Sequence, residues 1–316
     1  MRCAPFCAGL LLAFGFAPLR AQDGPGTEGA LLFQLSPAPR AVALGDAYAA
    51  LSGGLALFHN PAGLAGAPTS VSLAYQTLPT DASAGLAFSA FRLGPGAFAM
   101  GLQFLDYGSI DEVKPDASGL LGVPTGVKVS GGEVAASLGY GVQLGWFRLG
   151  AAARVLRVDI AEVSANTAVF DAGVAANLLG RRVMIAGVVQ NMGRPVAAGR
   201  AAPLPLTARV GLAVRGQPAP GRRGTLTFEL TSRRSDLGGP GPVTAGAGVE
   251  LAALWKGVWF LGRGGYRQKA SSGDAGSGLA VGGGIRLGSL LLDYAYQPMG
   301  VLGATHHFGL TYIPRR

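Results

Sequence analysis

The chain has 316 residues, of which 49% are hydrophobic and only 14% are charged, and its formal net charge is +9. Mean hydropathy is +0.36, yet no apolar run of about 18 residues, the length that a membrane helix needs, follows residue 21. Helical membrane spans are therefore excluded. The basic residues are scattered and form no cluster interleaved with aromatic residues, so no nucleic-acid partner is expected.

Residues 1–21 have the pattern of a secretory signal peptide. Arg2 supplies the positive start, an apolar stretch of suitable length follows it, and Ala21 is a small residue at a plausible cleavage point. Both cysteines, Cys3 and Cys7, lie inside this segment. We therefore expect an exported chain whose mature form has neither a disulfide nor a thiolate metal site.

Residues 22–68 form an N-terminal unit that begins with a Gly-rich linker. Apolar side chains recur at helical spacing over residues 41–51, which predicts a short helix. Asn60 suits the N-cap of a second helical turn, Pro61 suits its first position, and Gly63 permits a tight exit. The unit is too short to be a domain, so it must pack on or in something larger.

Over residues 69–316 the hydrophobic period becomes two, which predicts strands. In residues 225–231, Leu226, Phe228 and Leu230 share one face, and Glu229 lies with threonines on the other. One face is bulky and apolar, and the other is small and polar. The predicted strands are 69–77, 82–92, 95–105, 133–143, 146–158, 166–178, 181–191, 205–215, 223–233, 241–252, 255–266, 276–286, 289–297 and 304–313.

The connections between these strands alternate between a short set and a longer set. The short set includes the pairs 93–94, 144–145 and 287–288, and the longest member of the other set is 106–132, which we expect to be a solvated loop. Outer-membrane barrels have short turns at one end and longer loops at the other. The prediction is an all-β fold, a transmembrane antiparallel β-barrel of about fourteen strands, surrounded by the lipid of a Gram-negative outer membrane.

No residue is a candidate for catalysis, cofactor binding or metal binding. His306 and His307 are adjacent, so they point to opposite faces of a strand and do not easily share a metal ion. The sequence has no Ser-centred nucleophile elbow. The glycines at 264–265 and 282–284 are not followed by a helix, so they indicate close strand approach or room for a luminal segment. We do not expect an enzyme.

Residues 36–65 resemble the N-terminal signature of the PorV/PorQ family, which belongs to the larger group of FadL-like outer-membrane barrels. The matching elements are Ala38, Arg40, Ala41, Leu44, Gly45, Ala47 and the run Asn60-Pro61-Ala62-Gly63-Leu64. Residues 188–193 and 293–312 also resemble stretches of that family. The chain departs from the pattern at Gly53-Gly54, where the family usually has an acidic pair, and at His307, where the family has Arg.

The resemblance implies a fourteen-stranded barrel with its N-terminal segment folded into the lumen as a short helical plug. The plug motif that it assigns to this chain comprises Arg40, Gly45, Asn60, Pro61, Ala62, Gly63 and Leu64. It also implies an accessory or cargo-handling role in type IX-like protein secretion, with the secretion translocon and exported cargo proteins as partners. The alternatives are a FadL-like transporter of hydrophobic small molecules and a structural barrel without a solute pathway.

Overall fold

The computed structural model describes residues 29–36, 38–79, 81–116, 118–119, 121–198, 200–234, 242–268, 278–300 and 303–314. The predicted signal peptide, residues 1–21, lies outside the described residues, as does the linker segment 22–28.

In the described residues, four short helical turns precede the strands. They are the 3₁₀ turn η1 (Leu31–Gln34), the α-helix α1 (Pro39–Ala43), and the 3₁₀ turns η2 (Gly54–Phe58) and η3 (Pro61–Gly66). The prediction of a helix over 41–51 was wrong in extent, since α1 begins at Pro39 and ends at Ala43. The helix cannot continue past this point because Gly45 and Asp46 adopt φ values of +63° and +58°. In the part of the chain that is described, no helix has the length and apolarity needed to cross a bilayer.

Sixteen strands follow in the described residues. They are β1 (Ser70–Thr77), β2 (Ser83–Leu93), β3 (Gly96–Pro115), β4 (Gly122–Leu144), β5 (Phe147–Ile160), β6 (Val163–Leu178), β7 (Val183–Gly193), β8 (Val196–Ala198), β9 (Arg200–Ala202), β10 (Leu206–Ala219), β11 (Arg222–Arg234), β12 (Val243–Trp255), β13 (Val258–Arg267), β14 (Leu279–Leu287), β15 (Leu290–Pro298) and β16 (Ala304–Tyr312).

Fourteen of these strands form one closed antiparallel barrel, and β8 pairs only with β9 within the connection between β7 and β10. The barrel closes where β1 pairs with β16, from Val71 opposite Tyr312 to Thr77 opposite His306. Each of the fourteen predicted strands corresponds to one barrel strand. The prediction of a closed fourteen-stranded barrel is therefore confirmed.

The two faces of the wall also follow the predicted alternation. Phe228 is 45% exposed on the outer face, whereas its neighbours Thr227 and Glu229 are 5% and 2% exposed on the inner face. Most large apolar side chains of the strands are exposed in the same way, including the aromatic Trp255 and Tyr312. An apolar outer face on a wall without a free sheet edge is the arrangement that a lipid bilayer requires.

The expectation of a loop over 106–132 was wrong. Strand β3 continues as far as Pro115, and β4 already begins at Gly122. The two strands pair with each other over most of this span. Their outer neighbours stop earlier, since β2 begins opposite Asp106 and β5 ends opposite Gly131. Residues 107–130 thus contain a two-stranded extension beyond the barrel, named here the β3–β4 ribbon. The sequence did not predict these strands, because a free ribbon has no buried face and its residues therefore need not alternate between apolar and polar.

The occupied lumen as candidate functional site

The N-terminal segment, residues 29–67, packs against the inner wall of the barrel. Helix α1 contacts β13 to β16, and turn η3 contacts β3 to β6 on another part of the wall. Leu44, Leu57 and Leu64 are completely buried there. These side chains belong to an apolar cluster that also includes inward-facing residues of the wall. The lumen therefore contains a packed apolar core, built mainly on a segment that forms no barrel strand.

Glycines on the inner wall make room for this segment. At Gly150, an added Cβ would overlap the backbone of Pro61 and Ala62, and at Gly265 it would overlap the backbone of Leu44 and Gly45. Among the described residues, glycines in nine strands have backbone or side-chain atoms of the segment close to an added Cβ: Gly101, Gly139, Gly141, Gly150, Gly173, Gly211, Gly246, Gly248, Gly265, Gly282 and Gly309. Close approach of two backbones is a recognised reason for glycine within a strand.

The predicted role of the two glycine groups is thus correct only in part. Gly265 and Gly282 lie against residues 43–45 of the segment, as expected of glycines that give it room. Gly264 has nothing within 4 Å of an added Cβ, and Gly283 meets only the wall strand beside it. These two glycines alternate with the inward pair and lie on the outer face of the barrel.

Two glutamates of the wall hold backbone N–H groups of the segment. Glu229 accepts hydrogen bonds from the N–H groups of Tyr48 and Ala49 at 3.0 and 2.8 Å. The same carboxylate pairs with Arg209 at 2.7 Å. Glu133 accepts from the N–H groups of residues 31 and 32, both at 2.9 Å. Irregular chain cannot pair all of its own backbone donors, so these carboxylates satisfy groups whose burial would otherwise be costly.

Arg40 connects helix α1 to the wall. Its guanidinium donates two hydrogen bonds to the carboxylate of Glu250, at 2.9 and 2.8 Å. Glu250 also accepts from Arg263 at 2.6 Å, and Arg263 in turn contacts Asp293 at 2.5 Å. Arg40 of α1 and the three residues of strands β12, β13 and β15 form a chain of alternating charge, so the buried charges neutralise one another.

The predicted N-cap at Asn60 is present. Its side-chain oxygen accepts from the N–H of Ala62 at 3.0 Å, and its amide nitrogen donates to the carbonyl of Ala49 at 3.0 Å. Pro61 occupies the first position of η3. Gly63 has another role than the expected tight exit, since a Cβ there would meet the carbonyl oxygen of Leu51 and the side chain of Ala56.

Asp46 and Gly45 form the sharp bend that follows α1. The Asp46 carboxylate accepts from the hydroxyl of Ser36 and pairs with Arg267 of the wall at 2.5 Å. Burial alone would raise the pKa of Asp46, but the Arg267 guanidinium and the Ser36 hydroxyl outweigh it and hold that pKa below its usual range. The bend is therefore fixed to the barrel by a charged contact.

His59 follows η2 in the luminal segment and is 3% exposed. Its ring stands 4.8 Å from the ring of Tyr48, centroid to centroid, and neither ring nitrogen has a hydrogen-bond partner among the described residues. Burial, with a further contribution from the charge of Arg209, lowers the pKa of His59 to about 3. The ring is consequently neutral at physiological pH.

All seven residues of the predicted plug motif lie in this luminal segment, and all but Arg40 and Gly45 belong to the run that ends at Leu64. Sequence reasoning missed the wall residues that hold the segment, which are Glu133, Glu229 and Glu250, together with Arg263 beside Glu250. A signal was available, because Glu229 is a charged residue on the inward face of a regular strand. Such a residue needs a partner in the lumen.

Similar proteins were found only by comparison of structures, since no protein-family model and no curated protein matches the sequence. The toluene transporter TodX of Pseudomonas putida superposes with a TM-score of 0.55 at 13% identity, covering 86% of this chain and 95% of TodX. A deletion mutant of TodX, named a monoaromatic hydrocarbon channel, gives 0.56 at 13% identity, covering 87% and 96%. At this identity the likeness establishes the barrel fold alone.

Proposed function

We propose that this protein is an outer-membrane channel for small hydrophobic molecules, in which residues 29–67 act as a luminal plug. The observation that carries this proposal is the occupied lumen. A channel for hydrophilic solutes needs a polar, water-filled interior. Here Leu44, Leu57 and Leu64 are packed inside the barrel with no exposed surface. A solute can pass beside this segment, or through the lumen once the segment has moved. On either route it meets apolar side chains, which favours an apolar solute.

The structural likeness to TodX supports the same choice. TodX is named a toluene transporter, and 95% of its chain is covered by the match. The transfer of its substrate class to this chain is part of our proposal. It agrees with the FadL-like alternative of the sequence analysis, and we favour that alternative over protein secretion.

The plug motif has a defined part in this proposal. Arg40 ties the segment to Glu250, and Gly45 allows the chain to turn close to β13. Asn60 fixes the start of η3, and the residues Pro61 to Leu64 fit against the glycines of β4 and β5. Passage of a solute then requires displacement of only part of the segment, with the remaining contacts keeping it inside the barrel.

The proposed location is the outer membrane of a Gram-negative cell, reached after removal of residues 1–21 as a signal peptide. The apolar outer face and the closed hydrogen-bonded wall support this location. Fractionation checks it: the protein should sediment with outer membranes and migrate faster on gels before heating than after heating. Recovery as a soluble periplasmic protein would contradict the proposal.

Uptake of labelled toluene tests the transport function. The full chain is expressed in a bacterium that lacks a hydrocarbon channel, and uptake is compared with that of cells carrying an empty vector. We expect faster toluene uptake and no change in the uptake of a labelled sugar. Equal toluene uptake by the two strains would overturn the transport proposal, and a parallel gain in sugar uptake would indicate an open water-filled pore.

A second candidate function is an accessory role in type IX-like secretion, as the resemblance to the PorV/PorQ family implies. The β3–β4 ribbon favours it, since the ribbon extends beyond the barrel and exposes apolar residues such as Ile110 (73%) and Val123 (51%). Two-stranded extensions with free edges are suited to binding other proteins. Purification of the tagged chain from detergent-solubilised membranes distinguishes the roles: absence of both a translocon and exported cargo would exclude the secretion role.

A further inference from the structure

Arg148 is a buried cation whose hydrogen-bond partners are all neutral. It is the second residue of β5, and it is 6% exposed on the inner face of the wall. Its Nε donates to the Gln143 side chain at 2.6 Å, and its Nη1 donates to the hydroxyl of Ser52 at 2.6 Å and to the sulfur of Met184 at 3.6 Å. Arginine keeps its proton in proteins, so this charge is costly to bury unless an anion compensates it.

A second arginine lies beside Arg148. Arg215 of β10 is half-buried, and its charge is close enough to act on that of Arg148. Its Nη2 donates to the carbonyl of Ala50 at 3.4 Å. Ala50 and Ser52 are two residues apart in the luminal segment, so both guanidinium groups meet the same short stretch of it. Two like charges at one place repel each other, which adds to the cost of burial.

Carboxylates that could neutralise this pair are lacking in the described part of the chain. The charges that act on Arg148 belong to other arginines. Glu250 acts on Arg215, but its carboxylate already binds Arg40 and Arg263. Each of the six short connections between barrel strands lies within three residues of Arg or Lys, and none lies that close to Asp or Glu. The two arginines therefore lie at a basic end of the barrel.

The groups that remain free at this place are hydrogen-bond donors. Nη2 of Arg148 and both Nε and Nη1 of Arg215 have no partner among the described residues. The Ser52 hydroxyl accepts from Arg148 and keeps its own proton to donate. Planar guanidinium groups present paired N–H donors, which match the oxygens of phosphate. Ser52 and Gly66 retain some exposed surface, so solvent reaches the site.

We propose that Arg148, Arg215 and Ser52 bind a divalent, phosphate-type oxyanion at the end of the lumen with the short connections. The two positive charges match a double negative charge, and the free donors require only acceptors. The barrel wall separates this position from the bilayer, so the ligand is a dissolved anion and not a lipid headgroup. In outer-membrane barrels the short turns face the periplasm, which gives a periplasmic anion access to the site.

The site has a consequence for the luminal segment. Arg148 and Arg215 contact residues 52 and 50, so an anion that holds the two arginines together also stabilises the segment in its packed position. This inference goes beyond the proposed transport function and does not depend on it, because phosphate binding is measured on the isolated protein.

Equilibrium dialysis of radiolabelled inorganic phosphate tests the site. The full chain is purified in a non-ionic detergent, and binding is measured at constant ionic strength with sodium chloride as the balancing salt. We expect about one phosphate per chain, displaced by sulfate but not by acetate, because two guanidinium groups favour a divalent anion. In Arg148→Gln the affinity should fall at least tenfold, since hydrogen bonds between charged groups are lost.

Arg286→Gln is the matched control. Arg286 is also an inward arginine at the end with the short connections, but β14 lies on the opposite side of the barrel from β5. Its Nε donates to the carbonyl of Gly288 at 3.2 Å. This variant should bind phosphate as the wild type does. Loss of binding in Arg286→Gln to the same extent as in Arg148→Gln would show attraction by the basic end as a whole and would overturn the site.

Two further results would contradict the proposal. Equal phosphate binding by the wild type and Arg148→Gln, or the absence of binding by the wild type, would overturn the site itself. Displacement of phosphate by acetate as effectively as by sulfate would contradict a divalent oxyanion as the ligand. Folding of each variant is checked by its mobility shift on heating. Should Arg148→Gln fail to fold, Arg215→Gln makes the same test.

Discussion

Single carboxylates on the inner wall determine how the luminal segment is held. Glu229 is 2% exposed and accepts from two backbone N–H groups, the Arg209 guanidinium and the hydroxyl of Thr231. Removal of its charge leaves Arg209 without this buried counterion. The wall and the segment are therefore coupled through individual side chains as well as through apolar packing.

Replacement of Glu229 should accordingly weaken the whole structure. Glu229→Gln keeps the size of the side chain, but it loses the buried ion pair, and we expect a destabilisation of about 3 kcal/mol. The measurement is urea unfolding in detergent, followed by gel mobility without heating. Glu112→Gln is the control, because Glu112 pairs with Lys114 on the β3–β4 ribbon away from the lumen. Similar unfolding curves for the two variants would contradict the role assigned to Glu229.

His59 should make stability depend on pH. Its pKa of about 3 in the folded chain lies below the ordinary value of 6.5, so the unfolded chain binds an extra proton between these values. Stability is then complete above about pH 6.5 and falls as the pH is lowered toward 3. His59→Phe removes this pH-dependent contribution to stability. The difference in unfolding temperature between the wild type and the variant should therefore change between pH 6.5 and pH 3. Parallel curves would contradict the prediction.

At the scale of elements, the luminal segment and the strands fit each other through glycine. Turn η3 lies against Gly141 and Gly150, and the bend after α1 lies against Gly248 and Gly265. None of these four glycines has a positive φ, so their role is to provide space rather than an unusual backbone conformation. The strand register runs without a shift across these four positions.

Gly150→Ala tests this fit. The added methyl group would overlap the backbone of residues 61 and 62, and overpacking of this kind costs about 1–3 kcal/mol. We expect faster deuterium exchange in peptides from residues 38–67 and a lower unfolding temperature. Gly262→Ala is the matched control, since it lies on the outer face with nothing within 4 Å of the added atom. Equal exchange in the two variants would show that the segment is not held by this contact.

The β3–β4 ribbon shows the limit of reading elements from the sequence. Alternation identified the barrel portions of β3 and β4, because an apolar outer face and a small inner face are imposed on them. Beyond Asp106, β3 and β4 pair only with each other and no longer with β2 or β5. Residues such as Asp111 and Lys128 lie at paired positions in this charged stretch. Pairing without burial leaves no hydrophobic period, so the extension was predicted as a loop.

The whole molecule combines a closed wall with an occupied interior. The wall depends on pairing between successive strands and on the β1–β16 closure, and these hydrogen bonds do not involve the luminal segment. We therefore expect the barrel to form without that segment, and to be open once the segment is absent.

Deletion of residues 29–66 should convert a closed barrel into a conducting one. Planar-bilayer recordings of the full chain should show little ion conductance, and the deletion variant should show stable open channels. A second variant, in which Asn-Gly replaces residues 110–129, shortens the ribbon and should conduct no more than the wild type. Low conductance of the deletion variant, despite a preserved mobility shift on heating, would contradict the role of the segment as a plug.

The sequence by itself determined the barrel, because its period of two, strand length and alternating connections are local properties that membrane-facing strands cannot avoid. It also marked residues 36–65 as unlike a strand, and it placed the cap at Asn60. Only the tertiary structure decided that this segment lies inside the barrel and that Glu133, Glu229 and Glu250 hold it. Those features depend on contacts between residues more than 100 positions apart. A local sequence pattern cannot predict which inward glycine or glutamate contacts which part of the segment.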